Sequence, residues 1–80
     1  MASYRLEFKR SVAKDLRPFP ERDVQRILAR IRNLADDPRP VGCEKLTDQS
    51  LYRIRQGRYR VLYEIHDDVL AIRVGVDLTE

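Results

Sequence analysis

Polar and apolar residues largely alternate along three short stretches of this chain, and a fourth stretch is mainly apolar. The stretches are residues 4–8 (YRLEF), 52–55 (YRIR), 59–65 (YRVLYEI) and 69–76 (VLAIRVGV). Alternation with a period of two is typical of strands that bury one face. Gly57 lies between the second and third stretches and can form a turn there. The pattern therefore predicts one strand near the N-terminus, a hairpin around Gly57 and a last strand after it.

Between the first strand and the hairpin, apolar residues recur at intervals of three and four. The members of this stripe are Val24, Ile27, Leu28, Ile31, Leu34 and Ala35. One apolar stripe of this kind predicts an amphipathic helix. Pro20 and Glu21 suit its first turn, and the Asp-Asp-Pro sequence at 36–38 ends it near residue 36.

A shorter helix is predicted before it. Ser11 can act as its N-cap, and the helix should run to about Arg17. Its inward-facing residues are expected to be Val12, Ala13 and Leu16. Prolines at positions 18 and 20 stop this helix before the longer one begins.

The remaining segments connect these elements. Residues 37–43 form a connector that contains proline and glycine, residues 44–46 are a candidate short edge strand, and residues 47–50 and 66–68 are turns. The element order is thus β-α-α-β-β-β. It predicts an α+β fold, with two helices packed on one face of a small, mostly antiparallel sheet. Eighty residues are expected to form a single domain, residues 1–80.

Composition narrows the classes of function. The chain is 42% hydrophobic and 36% charged, which is typical of a globular domain rather than a disordered one. No apolar run approaches the ~20 residues of a membrane span, and the alternating N-terminus does not resemble a secretory signal. With one cysteine and one histidine, the chain can form neither an internal disulfide nor a structural zinc site by itself. A cytoplasmic protein is expected.

Positive charge is concentrated around the predicted hairpin. The net charge is only +3, but Arg53, Arg55, Arg58 and Arg60 fall within eight residues that contain no acidic residue. Alternation turns Tyr52 and Ile54 toward the core and the strand arginines toward the other face, where Arg73 of the last strand should join them. Planar guanidinium groups bind phosphate in a bidentate fashion, so the pattern indicates a polyanionic ligand.

Several of these segments together resemble the RelE/ParE superfamily of bacterial toxins from type II toxin–antitoxin pairs, and in particular its RelE-like branch. The resemblance covers most of the chain. It rests on residues 4–8 (YRLEF), the Asp37-Pro38 end of the helical hairpin, residues 45–46 (KL), residues 51–63 (LYRIRQGRYRVLY) and residues 72–75 (IRVG).

The resemblance implies a function and a set of residue roles. RelE-like toxins enter the ribosome and cleave mRNA, using the 2′-hydroxyl as nucleophile without a metal or cofactor. Carried over by position, Arg53, Arg55 and Arg60 would be the catalytic residues that hold the scissile and flanking phosphates. The expected RNA-binding residues are Lys45, Arg58 and Arg73. The implied partners are a cognate antitoxin protein, the ribosome and mRNA, with no membrane.

The resemblance ends after Gly75. Asp77 stands about where the family has a second active-site arginine, and residues 76–80 (VDLTE) include no tail tyrosine. Two alternatives therefore stand beside the endoribonuclease. One is a catalytically weakened or inactive RelE-like protein that retains antitoxin binding, and the other is a ParE-like inhibitor of DNA gyrase.

Overall fold

The computed structural model contains five strands and two helices. It describes residues 3–46, 50–57 and 59–77, with side chains through residue 75. In chain order the elements are β1 (Arg5–Phe8), α1 (Ser11–Leu16), α2 (Glu21–Leu34), β2 (Glu44–Lys45), β3 (Leu51–Gln56), β4 (Tyr59–His66) and β5 (Ala71–Asp77).

The five strands form one sheet in the order β1-β5-β4-β3-β2. β1 runs parallel to β5, and the other three pairings are antiparallel. The chain reaches the far edge of the sheet after β1 because α1 and α2 cross over one face before β2 begins. The predicted α+β fold is confirmed, and so is the candidate edge strand, which is two residues long.

The core lies between the two helices and one face of the sheet. Its fully buried side chains include Ile27 and Ile31 from α2 and Val61, Tyr63 and Ile72 from the sheet. The predicted stripe of α2 is thus the surface that packs against the strands. Neither described helix is long and apolar enough to cross a membrane.

Three details of the predicted elements were wrong. Ser11 is the first helical residue rather than the cap: Arg10 occupies the N-cap position, with helical dihedral angles and no side-chain cap bond. Ala13 is exposed, because a helix of six residues buries only the pair Val12 and Leu16, which are one turn apart. The alternation of residues 4–8 groups Phe8 with Tyr4 and Leu6 on the buried side, but Phe8 is 47% exposed because it lies at the end of an edge strand.

The last strand begins two residues later than predicted. Val69 and Leu70 belong to the turn after β4 and are exposed, at 58% and 42%. Leu70 has a φ of +50°, an unusual left-handed conformation for a leucine, so alternation is interrupted there. The strand pattern becomes regular only from Ala71, and the core face of β5 then carries Ile72 and Val74.

Candidate nucleic-acid interface

The face of the sheet opposite the two helices is called here the open face. The core residues of β3 and β4, such as Ile54 and Val61, point toward the helices and are buried. Their neighbours along each strand must point the other way. Arg53, Arg55 and Arg60 therefore lie on the open face, as predicted, and they are exposed or half-buried there.

Arg55 and Arg60 lie directly opposite each other across β3 and β4. Among the described side chains, neither has a carboxylate within ion-pair distance. Like charges directly opposite on neighbouring strands are destabilising. The strand pairing also places position 77 of β5 opposite Arg60, on the other side of β4.

Arg53 differs from these two arginines because it has an acidic partner. β2 pairs with β3 so that Glu44 lies opposite Arg53, and Arg53 Nη2 donates to Glu44 Oε2 at 2.9 Å. The open face therefore contains the carboxylate of Glu44, which the alternation of residues 52–55 and 59–65 does not predict. The signal was present, since Glu44 is the first residue of the predicted edge strand, but the strand register was needed to oppose it to Arg53.

The remaining predicted RNA-binding residues are spread over different places. Lys45 is exposed and pairs with Tyr52, so it lies at the sheet edge toward the helix side rather than among the open-face arginines. Arg58 lies outside the described residues. Arg73 is exposed on the open face, in a cross-strand row between Glu7 and Glu64. RNA binding by these three residues stays a prediction.

The carboxylates beside Arg73 have other partners. Glu7 accepts from Arg5 at 2.9 Å, and Glu64 Oε1 lies 3.1 Å from His66 Nε2. His66 ends β4, so it lies about 20 Å along the strand from Arg60, at ~3.3 Å per residue. His66 is therefore too far from Arg60 to contact the same phosphate group.

Two clefts flank the arginines without including Arg53, Arg55 or Arg60. One of about 180 Å³ lies by the hairpin turn, lined by Asp23, Arg26, Gln56, Gly57 and Tyr59. Another of about 340 Å³ is lined by Ser50, Leu51, Glu64 and His66. Small-molecule sites are concave and mostly apolar. The arginine surface between these clefts instead suits an extended anion.

The opposite end of the sheet contains a group of mutually bonded polar residues, called here the connector clamp: Tyr4, Arg39, Tyr52 and Asp67. Asp67 accepts from Tyr4 Oη at 2.6 Å and from Arg39 Nη2 at 2.9 Å. Arg39 also donates to Tyr52 Oη at 3.2 Å, and its guanidinium lies 5.3 Å from the centre of that ring. The clamp ties the connector after α2 to the start of β3 and the end of β4.

These hydrogen bonds shift the pKa values of three clamp residues, Asp67, Tyr4 and Arg39. The hydrogen bond from Arg39, and next that from Tyr4, lower the pKa of Asp67 below its ordinary value. The same contact with Asp67 raises the pKa of Tyr4 and of Arg39. Beside the clamp, Tyr63 Oη donates to the carbonyl of Pro38 at 2.8 Å, and burial raises the pKa of Tyr63. Tyr52, which was predicted to face the core, is buried there, as are Tyr59 and Tyr63.

The described residues include no group of three histidine, cysteine or carboxylate side chains placed to hold a metal ion.

Comparison with known proteins identifies the family. The model of the ParE toxin of type II toxin–antitoxin systems (parDE) matches residues 6–76. The chain belongs to the RelE/ParE toxin superfamily. The predicted superfamily is thus confirmed, and the RelE-like branch within it stays a prediction. No curated protein sequence matches the chain.

Solved structures of RelE toxins share this fold. A chain of the archaeal RelE–RelB complex from Pyrococcus horikoshii OT3 is 29% identical, with a TM-score of 0.85 over 95% of this chain and 94% of that one. A chain of the Mycobacterium tuberculosis RelBE2 toxin–antitoxin complex is 24% identical, with a TM-score of 0.82 over 99% and 94%. The isolated E. coli RelE toxin is 20% identical, with a TM-score of 0.81 over 98% and 86%. The last two comparisons support the fold alone.

Proposed function

We propose that this RelE/ParE toxin is a ribosome-dependent mRNA endoribonuclease that inhibits translation. The observation that carries the proposal is the cross-strand pair Arg55 and Arg60, which is without a carboxylate partner among the described side chains. Two opposed guanidinium groups repel each other in the free protein. A phosphate between them would offset that repulsion and accept hydrogen bonds from both.

The chemistry of RNA cleavage suits such a pair. Attack of the 2′-hydroxyl on the adjacent phosphorus, with loss of the hydroxyl proton, forms a phosphorane that carries more negative charge than the starting phosphodiester. The P–O5′ bond then breaks, and the leaving 5′-oxygen takes up a proton. Arg55 and Arg60 present N–H donors from a rigid hairpin, so little reorganisation is needed as this charge develops. Arg53 would bind a flanking phosphate after exchanging its bond to Glu44 for one to the ligand.

Proton transfer explains why the ribosome would be needed. Arginine stays protonated in proteins, so these residues stabilise charge but do not accept the 2′-hydroxyl proton. The one histidine of the sequence, His66, lies at the other end of β4, within hydrogen-bond distance of Glu64. Holding the message in an attack-ready geometry on the ribosome would replace part of the missing acid–base catalysis.

A cognate antitoxin protein is proposed as the second partner. The support is membership of the superfamily, together with relatives of the same fold crystallised as toxin–antitoxin complexes. An antitoxin that covers the open face would offer carboxylates to Arg55 and Arg60 and would exclude RNA from them.

Inhibition of DNA gyrase is the second candidate. It is favoured by the family model, which is that of the ParE toxin. The bond between Glu44 and Arg53 also occupies one guanidinium of the open face. A catalytically weakened protein that only binds its antitoxin would share these features.

One set of assays separates these functions. Purified protein is incubated with a ribosome programmed with a defined mRNA and, in parallel, with gyrase and supercoiled DNA. The variants are Arg55→Ala/Arg60→Ala on the open face and, as a control of equal charge, Arg22→Ala/Arg32→Ala on the exposed side of α2. We expect mRNA cleavage by the wild type and by the control, and none by the open-face variant.

The contrary outcomes are equally distinct. Broken DNA with intact mRNA would replace the proposal by gyrase inhibition. Intact mRNA and intact DNA, with antitoxin still bound, would establish the weakened protein. Cleavage that is equal in both double variants would remove the arginine pair from the mechanism.

A further inference from the structure

Lys9 follows the last residue of β1 and remains in register with the sheet. Its backbone N–H donates to the carbonyl of Val74 at 3.0 Å. Along β1, Leu6 packs against the core. The alternate positions Arg5, Glu7 and Lys9 therefore face the open side.

The side chain of Lys9 lies across Gly75 of β5. A Cβ added at Gly75 would lie 3.2 Å from Cδ, 3.5 Å from Cε and 3.4 Å from Nζ of Lys9. Glycine weakens the interior of a strand, and its presence there often marks a close approach by another group. The lysine therefore occupies the space that a side chain at position 75 would fill.

This contact places a cation beside the arginines. Gly75 lies opposite Leu62, which lies opposite Arg53, and the neighbouring row contains Arg60. Lys9 has no carboxylate within ion-pair distance among the described side chains. Among the described side chains, the cations of the open face thus include Lys9 over β5 as well as the arginines of β3 and β4.

We propose that Lys9 is a phosphate-binding residue of the open face, held over Gly75 so that its ammonium contacts the RNA backbone beside the arginine pair. The proposal rests on the proposed function and adds a residue to its site. Lysine is a compact charge with three rotatable donors, so it can follow a flexible single strand where a rigid guanidinium fork cannot.

RNA binding measured without the ribosome tests this inference. The probe is a fluorescently labelled single-stranded oligouridylate, and its affinity is followed by anisotropy over a range of salt concentrations. Each phosphate contact contributes about 0.7 to the slope of log K against log [salt] for single strands. We expect Lys9→Met to reduce the slope by about 0.7, whereas Lys9→Arg should retain it. The matched control, Lys14→Met, removes an exposed lysine from α1 and should retain the wild-type slope.

Gly75→Val tests the geometry rather than the charge. The valine would displace the Lys9 side chain while leaving its ammonium in the protein. We expect the same loss of slope as in Lys9→Met, and no further loss in the double variant, because both changes remove one contact. Circular dichroism shows whether the valine variant folds. If it does not, the salt slopes of Lys9→Met and Lys14→Met still test whether Lys9 contacts a phosphate.

The outcomes distinguish this inference from the proposed function. A wild-type slope in Lys9→Met, or no binding of the oligonucleotide by the wild-type protein, would overturn it. A reduced slope in Lys9→Met without any mRNA cleavage on the ribosome would support Lys9 as a phosphate ligand and overturn the endoribonuclease.

Discussion

The charged residues at the two ends of β4 differ in whether they have partners within the protein. At the end near the hairpin turn, Arg55 and Arg60 lie opposite each other without carboxylates among the described side chains. At the other end, the carboxylate of Asp67 accepts from both Tyr4 and Arg39. The burial pattern of β4 does not differ between these ends, because every second residue from Tyr59 to Ile65 is buried.

The difference separates stability from binding. A polar group whose hydrogen bonds are made within the protein stabilises the fold, and it has few donors or acceptors left to bind a ligand. Opposed arginines without partners cost stability in the free protein, and that cost is recovered only when an anion binds. We therefore expect substitutions near the turn to affect activity, and substitutions near the connector clamp to affect folding.

The largest effect is expected for Arg60→Ala. Removing one transition-state contact should lower the rate of mRNA cleavage by about 10²–10³. The free energy of unfolding should change by less than about 0.5 kcal/mol, because the residue is at the surface and its loss relieves repulsion. Single-turnover cleavage and thermal unfolding, each compared with Arg22→Ala, measure the two effects. A loss of activity that is matched by a loss of folding would contradict this separation.

Tyr63→Phe should have the converse effect. It removes the hydroxyl that donates to Pro38 at 2.8 Å, from a side chain that is only 1% exposed. A lost hydrogen bond of this kind costs about 1 kcal/mol, which lowers the Tm of a domain of this size by about 4–8 °C. Calorimetry should show the shift, and the cleavage rate measured well below the Tm should remain that of the wild type. An unchanged Tm would mean that this bond does not help to hold the connector.

Glu44→Gln should move the open face toward stronger binding. It releases Arg53 from its ion pair, a contact between partly exposed groups and therefore worth only about 0.2–1 kcal/mol. Affinity for single-stranded RNA should rise by up to about five-fold at low salt, and the gain should disappear as salt increases. The control is Glu44→Gln made in the Arg53→Ala variant, where no Arg53 guanidinium can be released. A gain that persists in that background would not come from Arg53.

The smallest effect is expected for Asp67→Asn, and it should depend on pH. The folded protein lowers the pKa of Asp67, so its carboxylate stabilises the fold above the unfolded pKa of about 3.8, and that contribution is lost as the pH falls through the folded pKa. At neutral pH, Asp67→Asn should therefore unfold at a slightly lower temperature than the wild type. The difference should vanish in strongly acidic buffer. A difference that is equal at both pH values would show that ionisation of Asp67 is not its source.

The sequence predicted much of the fold, since alternation and helical spacing report burial directly. It identified the open-face arginines for the same reason, because they alternate with core residues of the same strands. The errors fell where local patterns compete. Ser11 is a good cap by residue type but is already inside the helix, and Leu70 is apolar but lies in a turn with a left-handed backbone.

The amino-acid sequence by itself determined the strands, the helices and the side of each strand that carries arginine, because these depend on spacing along the chain. The tertiary structure alone decided which charges meet. It opposed Glu44 to Arg53, joined Arg39 to Asp67 and laid Lys9 over Gly75. These pairs are 9, 28 and 66 residues apart in sequence. Their contact depends on strand register and on the parallel pairing of β1 with β5, which hydrophobic periodicity does not encode.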